Sequence, residues 1–211
     1  MSAWQCTTGG NMRSHLTLFI MFGISANALA DMNAAQQALD SQDYVTAIRL
    51  LEADAKRNNV EAGYLLGTMY RDGLGVKADP VMALQIFEDA SDVDWIRDKG
   101  KFGSPDAQYQ AGLMYRDGVG TERDLEEATD YFEQAAEQNH GPSQAMLAKM
   151  LLRGEGAGQD YQEAYIWASL AIQKFPEEEA KGVIAVRDEA AKHLSFSELA
   201  SAKKKIRAFN E

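Results

Sequence analysis

The sequence contains little cysteine, little proline and few basic residues, and each shortage excludes a class of protein. The one cysteine, Cys6, rules out an intramolecular disulfide framework and a metal site built from several thiolates. Only 4 prolines, and no long serine, glycine or glutamine tract, argue against extensive disorder. The 21 basic residues face 32 acidic ones, and the net charge of −11 disfavours nucleic acid and anionic membranes as main partners. The composition is that of a globular protein.

Residues with recognisable chemistry are also scarce. Beyond residue 30 the only histidines are His140 and His193, and neither has a second ligand at the spacing of a metal site. No G-x-S-x-G motif of a serine nucleophile is present there. Pairs such as Gly73-Leu-Gly75 lack the lysine of a phosphate-binding loop. We therefore expect no catalytic residue, no metal and no cofactor.

The first thirty residues have the three parts of a secretory signal peptide. A basic residue, Arg13, precedes an apolar run over 16–24, and the small-x-small pattern Ala28-Leu29-Ala30 follows it. The run is about half the roughly 20 residues that a membrane span requires. We expect cleavage after Ala30, no stable membrane insertion afterwards, and a periplasmic or secreted mature protein. Met12, directly before Arg13, is a second candidate for the start of translation.

The remaining chain is built from repeats. Three stretches align without gaps, at 62–75, 107–120 and 143–156. The match continues through Asp79, Asp124 and Asp160, of which the last two are separated by 36 residues and the first two by 45. Counting 36 residues back from Asp79 reaches Asp43, which marks a degenerate first unit. Nine additional residues therefore lie between the first two strong units.

Each unit is predicted to contain two antiparallel helices. Apolar residues at helical spacing mark the first helix, and a Gly-x-Gly pair ends it because glycine tolerates the left-handed backbone of a helix C-terminus. Asp79, Asp124 and Asp160 are interpreted as N-caps of the second helices. Glu127 and Glu163, three residues after two of these aspartates, give the form of a capping box. The small residues Gly67 and Gly112 would let paired helices approach closely.

The predicted domain organisation follows the repeat register, with two capping helices at the end. Pro176 and the three glutamates after it open one helix, and Ser195 with Glu198 opens the last. The divisions are a signal peptide at 1–30, a degenerate unit at 31–61, repeats at 62–106 (with an insert at 92–104), 107–142 and 143–178, and capping helices at 179–211.

The repeat resembles the Sel-one-like repeat, a relative of the tetratricopeptide repeat. The pattern A-x-Y-x-L-G-x-M-Y-x-x-G-x-G-V-x-x-D-x-x-x-A-x-x-x-F-x-x-A runs from Ala62 to Ala90 and recurs within 107–136, with Ala111 and Thr121 in place of the leucine and the valine. A weaker copy lies at 143–172. The resemblance implies an all-α, right-handed α-solenoid of antiparallel helix pairs. It also implies an adaptor role, often in exported bacterial proteins, and no reaction.

Two parts of the chain are candidates for binding a partner protein. Variable positions of the first helices would line a concave surface, namely Gly63, Leu65, Thr68, Arg71, Gln108, Gln110, Leu113 and Arg116. Arg71 and Arg116 recur at one position and suit carboxylates of a peptide. The insert carries Trp95, Phe102 and three cations, and tryptophan often anchors interfaces. The alternative is that Trp95 packs on the solenoid itself.

Three functions remain open. The leading interpretation is a non-catalytic, exported scaffold, adaptor or regulator that binds a protein of the cell envelope. The alternative is a cell-wall-directed enzyme or a binder of peptidoglycan-like or β-lactam-like fragments, although the relatives that suggest it are rich in cysteine. A third is a structural brace in a larger assembly.

Overall fold

The computed structural model describes residues 26–92 and 103–211, and in this part of the chain all regular secondary structure is helical. The all-α prediction is therefore confirmed. The helices are α1 (Ala26–Asp40), α2 (Tyr44–Ala55), α3 (Val60–Asp72), α4 (Pro80–Ser91), α5 (Pro105–Asp117), α6 (Leu125–Glu137), α7 (Gly141–Arg153), α8 (Tyr161–Ile172), α9 (Glu177–Ala191) and α10 (Phe196–Asn210).

The helices stack in the order of the sequence. Each helix from α1 to α8 packs against the next, and contacts also join α3 to α5, α7 to α9 and α8 to α10. Because each unit contacts mainly its neighbours, the apolar core is a series of adjoining clusters along the stack. This is the arrangement of a helical solenoid. None of the described helices is both long enough and apolar enough to cross a membrane.

Glycine ends the first helix of every strong unit, as the sequence predicts. Gly73, Gly118 and Gly154 have φ of 71°, 70° and 68°, and the N–H of each donates to the carbonyl of a methionine four residues earlier. These left-handed conformations strain any residue with a side chain. The turns therefore return the chain for the second helix at the same point in each unit.

Close approach of the paired helices depends on glycine facing phenylalanine. A Cβ at Gly67 would lie 2.5 Å from Cε1 of Phe87, and one at Gly112 would lie 2.7 Å from Cε1 of Phe132. Both rings are fully buried. The third unit differs, because Ala148 stands at the glycine position and Ala168 at the phenylalanine position, and both are fully buried. In the first two strong units a small residue thus faces a large one, so that the space between the two helices is filled.

The helix ends follow their capping residues. The side chain of Asn59 accepts hydrogen bonds from the N–H groups of Glu61 and Ala62, so α3 begins at Val60, two residues before the predicted repeat boundary. At the start of α10, Ser195 and Glu198 form the predicted reciprocal capping box.

The C-terminal helix packs on the last repeat through apolar side chains, and an ion pair and an aromatic contact add to this packing. Lys205 Nζ lies 2.6 Å from Oε1 of Glu163, and the ring of Phe209 meets that of Trp167 edge-on. Lys203 and Lys204 remain exposed.

Candidate functional site

The three repeated aspartates are N-caps in the structure. Oδ1 of Asp124 accepts hydrogen bonds from the N–H groups of Glu126 and Glu127, at 3.0 and 3.1 Å. Asp160 makes the equivalent pair of bonds, and Asp79 accepts one bond, from the N–H of Met82. The carboxylates therefore stabilise the exposed starts of α4, α6 and α8.

Of the two reciprocal hydrogen bonds in each predicted capping box, only the one accepted by the side chain of Asp124 or Asp160 forms. The backbone N–H of Asp124 donates to the carbonyl of Tyr115 at 2.9 Å, and that of Asp160 donates to Leu151 at 3.1 Å. These groups have no donor left for Glu127 and Glu163, so the expected return bond is absent from both described caps. The tertiary contact between the turn and the preceding helix takes its place.

Arg71 and Arg116 connect successive units. Nε and Nη2 of each guanidinium bind the carboxylate of the next residue, Asp72 or Asp117, at 2.6–2.9 Å. Nη1 of Arg71 then donates to Oε1 of Gln110 at 2.5 Å, which joins α3 to α5. The same atom of Arg116 lies 3.4 Å from the sulfur of Met146 on α7.

Both arginines therefore act first within the chain. The hydrogen bonds from the two arginines lower the pKa of Asp72 and Asp117, and the same bonds raise the pKa of each arginine. About a third of each arginine side chain stays exposed, 32% and 30%. Gln110, the acceptor of Arg71, is half-buried beside it.

The prediction that Gln108 lines a binding surface is wrong. This residue is only 3% exposed, and its amide oxygen accepts a hydrogen bond from Nε2 of Gln138 at 2.7 Å. Gly63, at the same repeat position, is buried against Ala90. Gln144, at the equivalent position of the third unit, is fully buried, and its Nε2 donates to the carbonyl of Ala136 at 3.1 Å.

Trp95 and Phe102 lie outside the described residues, and their role stays a prediction. The ends of the insert can be placed. The N–H of Ser104 donates to the carbonyl of Ala90 at 2.9 Å, and Gly103 packs directly on the backbone of Ser91. The chain therefore leaves α4 and re-enters α5 at the same point, which keeps the helix register despite the added residues.

A histidine cluster that sequence spacing does not reveal joins α5 to α7. Nδ1 of His140 lies 2.8 Å from Oγ of Ser143, and Nε2 lies 3.4 Å from Oδ1 of Asp106. Burial lowers the pKa of His140, and the opposing effect of Asp106 is smaller. These are the groups of a serine–histidine–acid triad. Ser143 is fully buried and cannot reach a substrate, so the cluster ties two helix starts together.

A second cluster, between α4 and α6, is acidic. A cleft of about 320 Å³ is lined by Glu88, Asp89, Asp92 and Glu127, with Tyr131 at its side. Desolvation is the main cause that raises the pKa of Glu127, and it also raises the pKa of Tyr131 to about 12. Within residues 26–92 and 103–211, no three histidine, cysteine or acidic side chains, including those of this cleft, are arranged so that they could hold one metal ion.

The stacked helix pairs define a helical-repeat protein, and comparison with known proteins gives its family. A family model described as the Sel1 repeat matches residues 60–92, 105–140 and 141–174. The chain thus contains three Sel1 repeats and is a Sel1 repeat protein, as the sequence resemblance indicates. The matched segments begin and end with the helix pairs α3–α4, α5–α6 and α7–α8.

Solved structures with the same architecture include a Sel1 repeat protein from Oxalobacter formigenes. It is 27% identical, with a TM-score of 0.61, over 72% of this chain and 57% of that chain. The protein c5321, a protective antigen of uropathogenic Escherichia coli with an SLR fold, is 20% identical, with a TM-score of 0.48, over 92% of this chain and 47% of that chain. The chain thus spans about half the length of these two proteins. The curated proteins contain no match.

Membership in this family gives a general function. Sel1 repeats commonly mediate protein–protein interactions, and the proteins that carry them are typically non-catalytic scaffolds. The surface available for such contacts includes the half-buried side chains of Leu65, Thr68, Gln110 and Leu113 on α3 and α5.

Proposed function

We propose that this protein is a non-catalytic scaffold that is exported and binds a protein of the cell envelope through the first helices of its repeats. The observation that carries the proposal is the set of three Sel1 repeats in register, since this architecture presents a row of side chains on successive parallel helices. The arginine links between units hold those helices at fixed spacing. A rigid surface loses little conformational entropy when it binds.

Export is proposed from the sequence of the first thirty residues. Arg13, the apolar run at 16–24 and Ala28-Leu29-Ala30 are the supporting features. Asp31, the residue after the proposed cleavage site, is bound to Arg57 at 2.7 Å, so the processed chain would keep this contact between α1 and the turn after α2. Fractionation of cells and N-terminal sequencing test the proposal. A mature protein that begins at Asp31 in the periplasmic fraction is expected, and an intact leader in the membrane fraction would contradict it.

The binding surface is tested by capture from a cross-linked envelope extract with paired variants. Thr68→Arg places a bulky cation on the half-buried face of α3, whereas Gln85→Arg places the same side chain on the exposed face of α4. We expect the wild-type protein and Gln85→Arg to recover the same envelope protein, and Thr68→Arg to recover much less of it. Equal recovery by both variants would place the binding surface elsewhere. Recovery of no envelope protein by the wild type would contradict the scaffold function.

A further inference from the structure

A cleft rich in basic side chains lies at the C-terminal ends of α5 and α7. Its volume is about 480 Å³. Four cations line it, against the two carboxylates of Asp117 and Glu155, and these cations are Arg116, Arg123, Lys149 and Arg153. The excess of positive charge is notable because the whole chain has a net charge of −11. We call this feature the basic cleft.

Three of these cations are not part of the repeat pattern. Each stands where neither of the other strong units has a basic residue. The equivalents of Arg123 are Ala78 and Gln159, those of Lys149 are Thr68 and Leu113, and those of Arg153 are Asp72 and Asp117. A residue that the fold requires in every unit would recur, as Gly118 and Asp124 do. Their divergence at one place therefore points to a role outside the fold.

Compensation of the helix dipole does not account for so much charge. Carbonyl groups at the ends of α5 and α7 favour nearby cations, and Nε of Arg123 donates to the carbonyl of Arg116 at 3.0 Å. However, the last turns of α3, α5 and α7 each contain one cation, namely Arg71, Arg116 and Arg153. Arg123 and Lys149 are therefore additional to the one basic residue that each of these helix ends carries.

The floor of the basic cleft is apolar. Met146, Lys149, Met150 and Arg153 lie on one side of α7, at the spacing of successive helix turns. Met146 is half-buried, and Leu125 closes the cleft from the start of α6. Methionine side chains are flexible and polarizable, so they adapt to apolar groups of different shape. The cleft thus offers basic side chains above an adaptable apolar base.

We infer that the basic cleft binds an acidic segment of the partner protein, with glutamate or aspartate side chains on its cations and an apolar side chain on the half-buried Met146. The inference deepens the proposed scaffold function and rests on it. An extended peptide matches the chemistry because carboxylates and apolar side chains alternate along it at short distance. Nucleic acid does not match, since its phosphates continue beyond the cleft and would meet the acidic remainder of the protein, whereas an acidic peptide segment can be as short as the cleft.

The test exchanges the three cations for residues that the chain itself carries at equivalent positions. The variant Arg123→Ala, Lys149→Thr, Arg153→Asp copies Ala78, Thr68 and Asp117, so the fold is expected to persist. The control is Lys203→Asp, Lys204→Ala, Arg207→Ala, which changes the net charge equally at exposed positions of α10. Thermal unfolding and circular dichroism verify that both triple variants are folded.

The probe is a synthetic peptide of alternating glutamate and leucine that carries a neutral fluorophore, with binding measured by fluorescence anisotropy. We expect the wild-type protein and the α10 control to bind alike, and the cleft variant to bind at least about tenfold more weakly. The affinity of the wild type falls as salt is added, because the basic side chains are exposed to solvent.

Several results would overturn the inference. One is no binding by the wild type, and another is equal binding by wild type and cleft variant. Displacement of the peptide by inorganic phosphate at constant ionic strength would show a site for small anions instead. Self-association of the wild type that the cleft variant loses would assign the cleft to a second copy of this chain.

Capture from the envelope extract separates this inference from the scaffold function. If the cleft variant recovers the same protein as the wild type, the inference fails and the scaffold function stands. If the wild type recovers none, the scaffold function fails.

Discussion

The contact between Gly112 and the ring of Phe132 gives the most direct test of how these helix pairs are held together. Gly112→Ala adds one methyl group that would lie 2.7 Å from the fully buried ring. In an open helix the change gains about 0.8–1 kcal/mol, because alanine has the higher helix propensity. Here the inserted carbon forces side chains or backbone to shift, at a cost of about 1–3 kcal/mol. We expect net destabilisation of up to about 2 kcal/mol.

The matched control is Gly182→Ala. Gly182 lies inside α9, and a Cβ at this position would have no neighbour within 4 Å. The substitution should therefore raise the free energy of unfolding by most of the propensity gain, about 0.8 kcal/mol. Urea denaturation followed by circular dichroism measures both variants. Equal stabilisation by the two substitutions would refute the argument that Gly112 is required by close packing.

A double-mutant cycle with Phe132 tests whether the side chains at positions 112 and 132 compete for the same space. Phe132→Ala alone leaves a cavity and should cost about 3–5 kcal/mol. The double variant Gly112→Ala, Phe132→Ala copies the third unit, in which Ala148 and Ala168 occupy the two positions. The new methyl group then has room, so we expect the double variant to be more stable than additivity predicts, by about 0.5–3 kcal/mol. Strict additivity would show that the two side chains do not compete for space.

Three further perturbations test other contacts. Asp124→Ala should cost about 0.5–2 kcal/mol through loss of the N-cap and Asp124→Asn much less, whereas equal losses in urea denaturation would contradict capping. Arg57→Ala should lower the melting temperature more than Arg187→Ala. Arg57 lies 2.6 Å from the carboxylate of Asp54, which is only 1% exposed and would be left buried without its ion-pair partner, whereas Arg187 pairs with an exposed aspartate. Burial lowers the pKa of His140, so the unfolded chain binds the proton first as the pH falls below about 6.5, and stability falls with it. His140→Gln should flatten the decrease of the free energy of unfolding between neutral pH and pH of about 5.5, and an unchanged slope would refute the assignment.

The sequence by itself determined the repeat, its helix pairs and the ends of those helices. These features depend on local chemistry, since a Gly-x-Gly pair ends a helix and an aspartate before a helix caps it, whatever the neighbours are. The six glycines with positive φ and the three aspartate caps lie where the repeat register places them. The same register limits the family to helical repeats.

Only the tertiary structure decided which side chains of the first helices face solvent. Gln108 and Gln110 are two residues apart and have the same chemistry, yet one is buried beside α6 and the other receives Arg71 from the preceding unit. Tertiary contact also explains why the complete capping box at Asp124 does not form, because the backbone N–H of Asp124 donates to the carbonyl of Tyr115 in the preceding helix.

The basic cleft and the His140 cluster show the same limit. Each brings together residues from α5, the turn after it or α7, and their separation along the sequence hides their proximity. Local patterns record where a helix begins and ends. The angle and spacing at which two helices pack depend on how all their side chains fit, and this fit decides which residues meet.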